Sequence, residues 1–169
     1  MESFQQTMNE YKKQLEKGIV QQAYKGLMEY IMGLRTHFMK KYPDYEVPGN
    51  IYFGYMDMTY FSIVPKSFQQ RKLKIAVVFI HGTCRFEAWL AGINKQVQEK
   101  YWKLIKDSGW NQYQVVPSTK GADAIIVHTL EGNPDFEDLD ALTKKIEEET
   151  LTYIKTIEAF FSKNKIDLS

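Results

Sequence analysis

The chain predicts a single α+β domain with a mainly antiparallel sheet of four to six strands. Three observations support this. Apolar residues recur at helical spacing near the N-terminus, after Asn94 and toward the C-terminus. Between these stretches lie short runs rich in aromatic and β-branched residues. The resulting order, ααββββαββα, is that of an α+β fold. An N-terminal helix pair, a central helix and a long C-terminal helix are expected to cover the sheet.

Ser3 is placed to cap a first helix, with Phe4, Met8, Tyr11 and Leu15 on one stripe and Gly18 as its stop. A second helix follows from Ile19, carrying Val20, Tyr24, Leu27, Ile31, Leu34 and Phe38 until YPDYEVPG breaks it with two prolines and a glycine. NIYFGYMDMTYFSIV is too long for one ordinary strand and divides into Ile51–Met56 and Met58–Val64, or one strand with a bulge. Pro65 ends it, and KSFQQRK makes a polar connection. LKIAVVFI is a strand buried on both faces or nearly so, and CRFEAWLA pairs with it as a hairpin across the Gly82-Thr83 turn.

Asn94 is the expected N-cap of the central helix, whose face carries Val97, Tyr101, Leu104 and Ile105 and which Asp107-Ser108-Gly109 terminates. YQVV and ADAIIVHTL read as short strands. The last helix starts near Pro134, with a stripe of Leu139, Leu142, Ile146, Tyr153, Ile157 and Phe160 and acidic residues crowding its first turns.

At 169 residues and 44% apolar content, the chain can bury about two-thirds of its unfolded surface, so neither disulfide nor structural metal is needed. The one cysteine excludes an intramolecular disulfide, and no Cys/His group has zinc-ligand spacing. The N-terminus lacks the apolar core of a signal peptide, and no stretch approaches a membrane span, so a reducing cytoplasm is the expected location. Charge is uneven: residues 49–117 hold 9 basic and 4 acidic side chains, whereas 118–169 hold 6 and 11. Two such segments neutralise each other within one fold, or the first forms a basic contact face.

No catalytic residue, metal ligand or cofactor motif is assigned. GxSxG, GxxxxGK[ST] and GxGxxG are all absent. Cys84, close to His81 and Arg85, reads as a small buried hydrophobe rather than a nucleophile. His37 reads as a helix C-terminal cap, and His128 as a strand residue hydrogen-bonded at a sheet edge. In a strand over 85–90, Phe86, Ala88 and Leu90 turn inward while Arg85, Glu87 and Trp89 face water. That outward trio is either a plain surface ion pair beside an indole or a contact surface for a planar or anionic group. Tyrosines crowd the helix-to-sheet transition, and a strand placing Tyr52, Gly54 and Met56 on one face leaves room above the glycine.

The candidate ligand-binding residues are therefore Arg85, Glu87, Trp89, Asn94 and Lys95, with Tyr52 and Tyr60 nearby. The leading expectation is a non-catalytic module binding a small molecule or a protein partner, away from membranes. The alternative is association with nucleic acid as a degenerate nuclease-like domain. A helix, three strands, a helix and a strand resemble the core of the PD-(D/E)xK nucleases, with Asp57 after the first strand. The second half of that motif is missing, because QRK puts Gln70 where its acid would stand.

The segments YKGLMEYIMGLRTHFMKKYPDY, IYFGYMDMTYFS, LKIAVVFIHGTCRFEAWLAGINKQVQEKYWKL and DFEDLDALTKKIE resemble an uncharacterised bacterial family of stand-alone proteins of about this length, described only as a domain of unknown function. The resemblance runs from about residue 20 onward and implies no activity, cofactor or catalytic residue. More faintly, the strand–strand–helix–strand order resembles accessory domains beside bacterial restriction or nuclease modules.

Overall fold

The computed structural model describes residues 1–164, which fall into two compact units, Met1–Leu34 and a second from Arg35 onward. In the first, helix α1 (Phe4–Glu16) opens with a reciprocal capping box. Gln6 N–H donates to Ser3 Oγ at 3.2 Å, and Ser3 N–H donates to Gln6 Oε1 at 2.7 Å. Gly18, at φ +72°, turns the chain into helix α2 (Ile19–Lys41), whose last turns belong to the second unit.

The second unit is built on five strands: β1 (Met58–Ile63), β2 (Leu73–Ile80), β3 (Arg85–Gly92), β4 (Gln114–Val115) and β5 (Ile126–Glu131). Their order is β1-β2-β3-β5-β4, and every neighbouring pair is antiparallel. The α+β class and the antiparallel sheet agree with the sequence. Three helices accompany it: α3 (Lys66–Gln69), α4 (Lys95–Asp107) and α5 (Leu139–Lys163). No helix among the described residues is long and apolar enough to cross a membrane.

Adjacent residues of β2 point to opposite faces, yet Val77 and Val78 are both buried, as its unbroken apolar run requires. Phe61, Val77 and Ala88 share one face in register with Ile63, Ile75 and Leu90. This first face meets the end of α2 and α5. The Phe38 ring of α2 lies 6.1 Å from Phe61, and Tyr153 of α5 reaches between β3 and β5. There Leu90 N–H donates to the Tyr153 hydroxyl (3.0 Å), which donates to Ile126 C=O (2.8 Å). Asn94 caps α4 by accepting Val97 N–H at 2.9 Å, as expected.

Four local expectations are corrected. Ile51–Met56 is not a strand: only Tyr52 pairs, in an isolated bridge to Tyr60, and Gly54 sits in a turn at φ +64°. A Cβ there would collide with the Asp57 carboxylate and Met58 C=O, so no room lies above it. KSFQQRK is not simply a polar connection, since it contains α3 and its Phe68 is buried. The last helix begins at Leu139, capped by Asp138, so most of the preceding acidic residues lie outside it. Cys84 is exposed rather than buried, because the β2–β3 connection needs a left-handed residue there (φ 48°) after the 3-10 turn His81–Thr83.

Candidate functional site

Partners in an antiparallel register lie on the same face of a sheet. On the second face, Tyr60, Val78, Glu87 and Thr129 form one row, and Ser62, Ala76, Trp89, Val127 and Gln114 form the next. Arg85 opposes Ile80, and Lys74 opposes Ala91. Among the described residues, none of these side chains is hydrogen-bonded or ring-packed to a helix.

The expected orientation of β3 holds: Phe86, Ala88 and Leu90 are buried in the core, while Arg85 and Trp89 are half-exposed on the other side. Glu87 is the exception. Strand alternation turns it toward water, yet its residue is only 3% exposed. Its two oxygens are separately engaged: Oε1 lies 2.6 Å from Arg85 Nη2, and Oε2 accepts Trp89 Nε1–H at 2.7 Å. A carboxylate this far from water is stable only when such partners replace its hydration. Guanidinium and indole thus share one anchor, and both keep a face toward solvent.

Tyr52 and Tyr60 are brought together two strands away. The bridge between them exchanges both backbone hydrogen bonds, at 2.8 and 3.0 Å, and stacks the rings with centroids 5.0 Å apart and an interplanar angle of 26°. Burial, then the charges of Tyr52 and Asp123, push the Tyr60 hydroxyl above its ordinary value. A groove of about 610 Å³ opens beside this stack, with Glu46, Ser62, Lys72 and Lys74 in its walls. Asn94 and Lys95 are exposed at the start of α4, where the Asn94 side chain is committed to the cap. Neither has a hydrogen bond or ion pair to the Trp89 group.

The titratable residues outside this face have separate partners. Asp57 is exposed in the turn before β1, and hydrogen bonds from backbone N–H groups, that of Tyr55 foremost, hold its carboxyl below the ordinary range. His81 Nε2 lies 2.8 Å from the Oγ1 of fully buried Thr59, and burial pushes the imidazole down despite the Asp57 charge. His128 lies on β5 just past Ile126 and Val127, the two residues that β4 pairs, and its side chain is bonded as expected: its Nε2 is 3.2 Å from Glu149 Oε2, and its ring stacks on Tyr153. His37 does more than cap a helix: its Nε2 lies 2.6 Å from Glu147 Oε2. Lys41 Nζ is 2.6 Å from Glu147 Oε1, to which Tyr42 also donates a short hydrogen bond. Among the described residues, no three His, Cys, Asp or Glu side chains converge to hold a metal.

Sequence reasoning missed Ser62, Lys72 and Lys74 as groove residues. The alternation Tyr60–Ser62–Val64 places them on one face, but the arch that walls the groove has no sequence period. The Glu147 cluster had no local signal at all, since its partners lie more than a hundred residues away.

Fold and face together define an α+β domain whose antiparallel sheet carries, on its second face, an arginine and a tryptophan joined to one buried carboxylate. Over residues 4–161 the chain matches the domain of unknown function DUF7000, and it belongs to that family. No curated protein and no solved structure matches it.

Proposed function

We propose that this chain is a non-catalytic binding module of the bacterial cytoplasm, taking a small ligand or a protein partner on the second face of its sheet. One observation carries the reading: the buried carboxylate of Glu87 fixes both the Trp89 indole and the Arg85 guanidinium at the surface. A flat ring and a cation held in fixed orientations lose little freedom on binding, and such pre-organised aromatic and arginine anchors dominate contact surfaces. The Tyr52–Tyr60 stack extends the same surface across β1. Asn94 and Lys95 mark its margin at the start of α4.

The test is a thermal-shift screen of metabolites and a pull-down of partners, repeated with Arg85→Ala and Trp89→Ala. Loss of binding in either variant supports the assigned surface, and unchanged binding in both removes it. A second reading, association with nucleic acid, is favoured by the net +5 of residues 49–117 and by Lys72 and Lys74 beside stacked tyrosines. It predicts retention of DNA or RNA on a filter that falls steeply between two salt concentrations. No retention at low salt eliminates it.

A further inference from the structure

Strand β1 is an edge of the sheet, and edge strands expose unpaired backbone groups unless something covers them. Among the described residues, the segment before β1 pairs with it at two points. Glu46 and Val64 exchange two backbone hydrogen bonds at 3.0 and 2.7 Å, and Tyr52 and Tyr60 exchange two more. Outward-pointing residues alternate along an antiparallel strand. Because Tyr60 and Val64 bond outward, Ser62 between them must present its N–H and C=O outward too. Neither these groups nor the Ser62 hydroxyl has a partner among the described residues, although the residue is only 8% exposed.

The chain between the two bridges arches away from Ser62 instead of pairing with it. Arg35 holds the arch: its Nη2 donates to Gly49 C=O at 2.7 Å and to Val47 C=O at 3.3 Å. Those carbonyls are thereby turned to the guanidinium and withheld from Ser62. Gly49, at φ +66°, makes the necessary turn. The groove of about 610 Å³ is the space so created, within the size range of small-molecule sites. The stacked Tyr52 and Tyr60 lie on one side of it. Lys72 and Lys74 also line it, and neither amino group has a partner among the described residues. Of the acids nearby, Glu46 in its wall accepts Gln69 Nε2–H at 2.9 Å, and Asp123, whose charge reaches Tyr60, is not among the lining residues.

We propose that this groove binds a planar, anionic heterocycle bearing a ring N–H beside a C=O, of the lactam or imide kind. The ring lies against the tyrosine stack, and its N–H and C=O complete the two missing edge bonds of Ser62. Its carboxylate or phosphate meets Lys72 and Lys74. This inference rests on the reading of the chain as a binding module and names the ligand class for the tyrosine side of that surface.

The experiment is a titration of the full chain, followed by backbone amide resonances, with orotate, uridine monophosphate and inosine monophosphate as probes. Uracil, lacking the anion, and benzoate, lacking the amide edge, are controls. The expected result is a saturable shift of the Ser62, Tyr52 and Tyr60 amides with at least one probe. Each control should bind about tenfold more weakly or worse, and Lys74→Gln should weaken the probe by about tenfold. If no probe shifts the Ser62 amide at millimolar concentration, or if benzoate binds as well as the probes, the proposal is overturned. Trp89→Ala separates the two claims. Probe binding that persists in it supports the groove independently of the Trp89 surface, whereas ligands lost in Trp89→Ala that never shift Ser62 support the Trp89 surface and overturn the groove.

Discussion

Trp89 donates its indole N–H to Glu87 two residues earlier on the same strand, across 2.7 Å, while Arg85 approaches the other oxygen of that carboxylate. Side chains two apart on a strand share a face, so a single acid can serve both neighbours. Removing it leaves the indole N–H and a guanidinium, whose Nε is already buried without a partner, short of an acceptor. Glu87→Ala is expected to cost about 2 kcal/mol, below the usual figure for breaking a buried pair because the Arg85 side chain is 42% exposed. The melting temperature should fall by roughly 4–8 °C, and Trp89 fluorescence should shift to the red. Glu87→Gln, which keeps an acceptor for the indole, should retain most of the fluorescence signature. A Glu87→Ala melting curve superimposable on the wild type would contradict the anchoring role.

The hydroxyl of Tyr153 stands where β3 and β5 would otherwise bond directly, relaying Leu90 N–H to Ile126 C=O. Tyr153→Phe leaves both backbone groups buried and unpaired, each worth about 1–3 kcal/mol. A loss of about 3 kcal/mol in urea denaturation is expected, with faster exchange of the Leu90 amide. If that amide exchanges no faster than in the wild type, the strands have closed on each other and the relay is dispensable.

How far the chain could be read from its sequence depended on how local each cause was. The Ser3 and Asn94 caps, the Gly18 stop and the hydrophobic run of β2 are set within a few residues, and all appear where expected. The inward turn of Phe86, Ala88 and Leu90 was equally legible, because it follows from alternation alone. Ile51–Met56 misled, since its aromatic and β-branched residues suit a strand, while the left-handed Gly54 and Met56 shape a turn instead. Whether Glu87 is exposed is decided by how Arg85 and Trp89 fold over it, which periodicity does not encode. The arch over Ser62 depends on Arg35, remote in sequence from the strand it shapes.

Cys84 tests the corrected hairpin turn. Its side chain is exposed, its backbone is left-handed, and its thiol lies 3.5 Å from His81 C=O. An aromatic disulfide reagent should label one thiol per folded chain without denaturant. Cys84→Gly, which suits a positive φ better, should leave the melting temperature unchanged or slightly raised. Labelling that requires unfolding would return the residue to the core.

The C-terminal turn of α2 is tied to α5 through Glu147, and the tie should fail in acid. Burial by itself would push the Glu147 carboxyl up, but hydrogen bonds from Lys41, Tyr42 and His37 outweigh it and hold the group at about 2. Burial and the Glu147 carboxylate in turn push the Tyr42 hydroxyl up. A carboxyl whose folded value lies below its unfolded one, near 4.5, stabilises the fold fully above that unfolded value. The contribution declines as pH falls from about 4.5 toward 2, where the folded form takes up its proton. Urea denaturation of wild type and Glu147→Gln at stepped pH checks this directly. The wild-type advantage should be fully present at about pH 5, then shrink steadily below 4.5 as the wild type loses what the variant never had. A gap that stays the same down to about pH 2.5 would mean that the three donors do not act through the charge of Glu147.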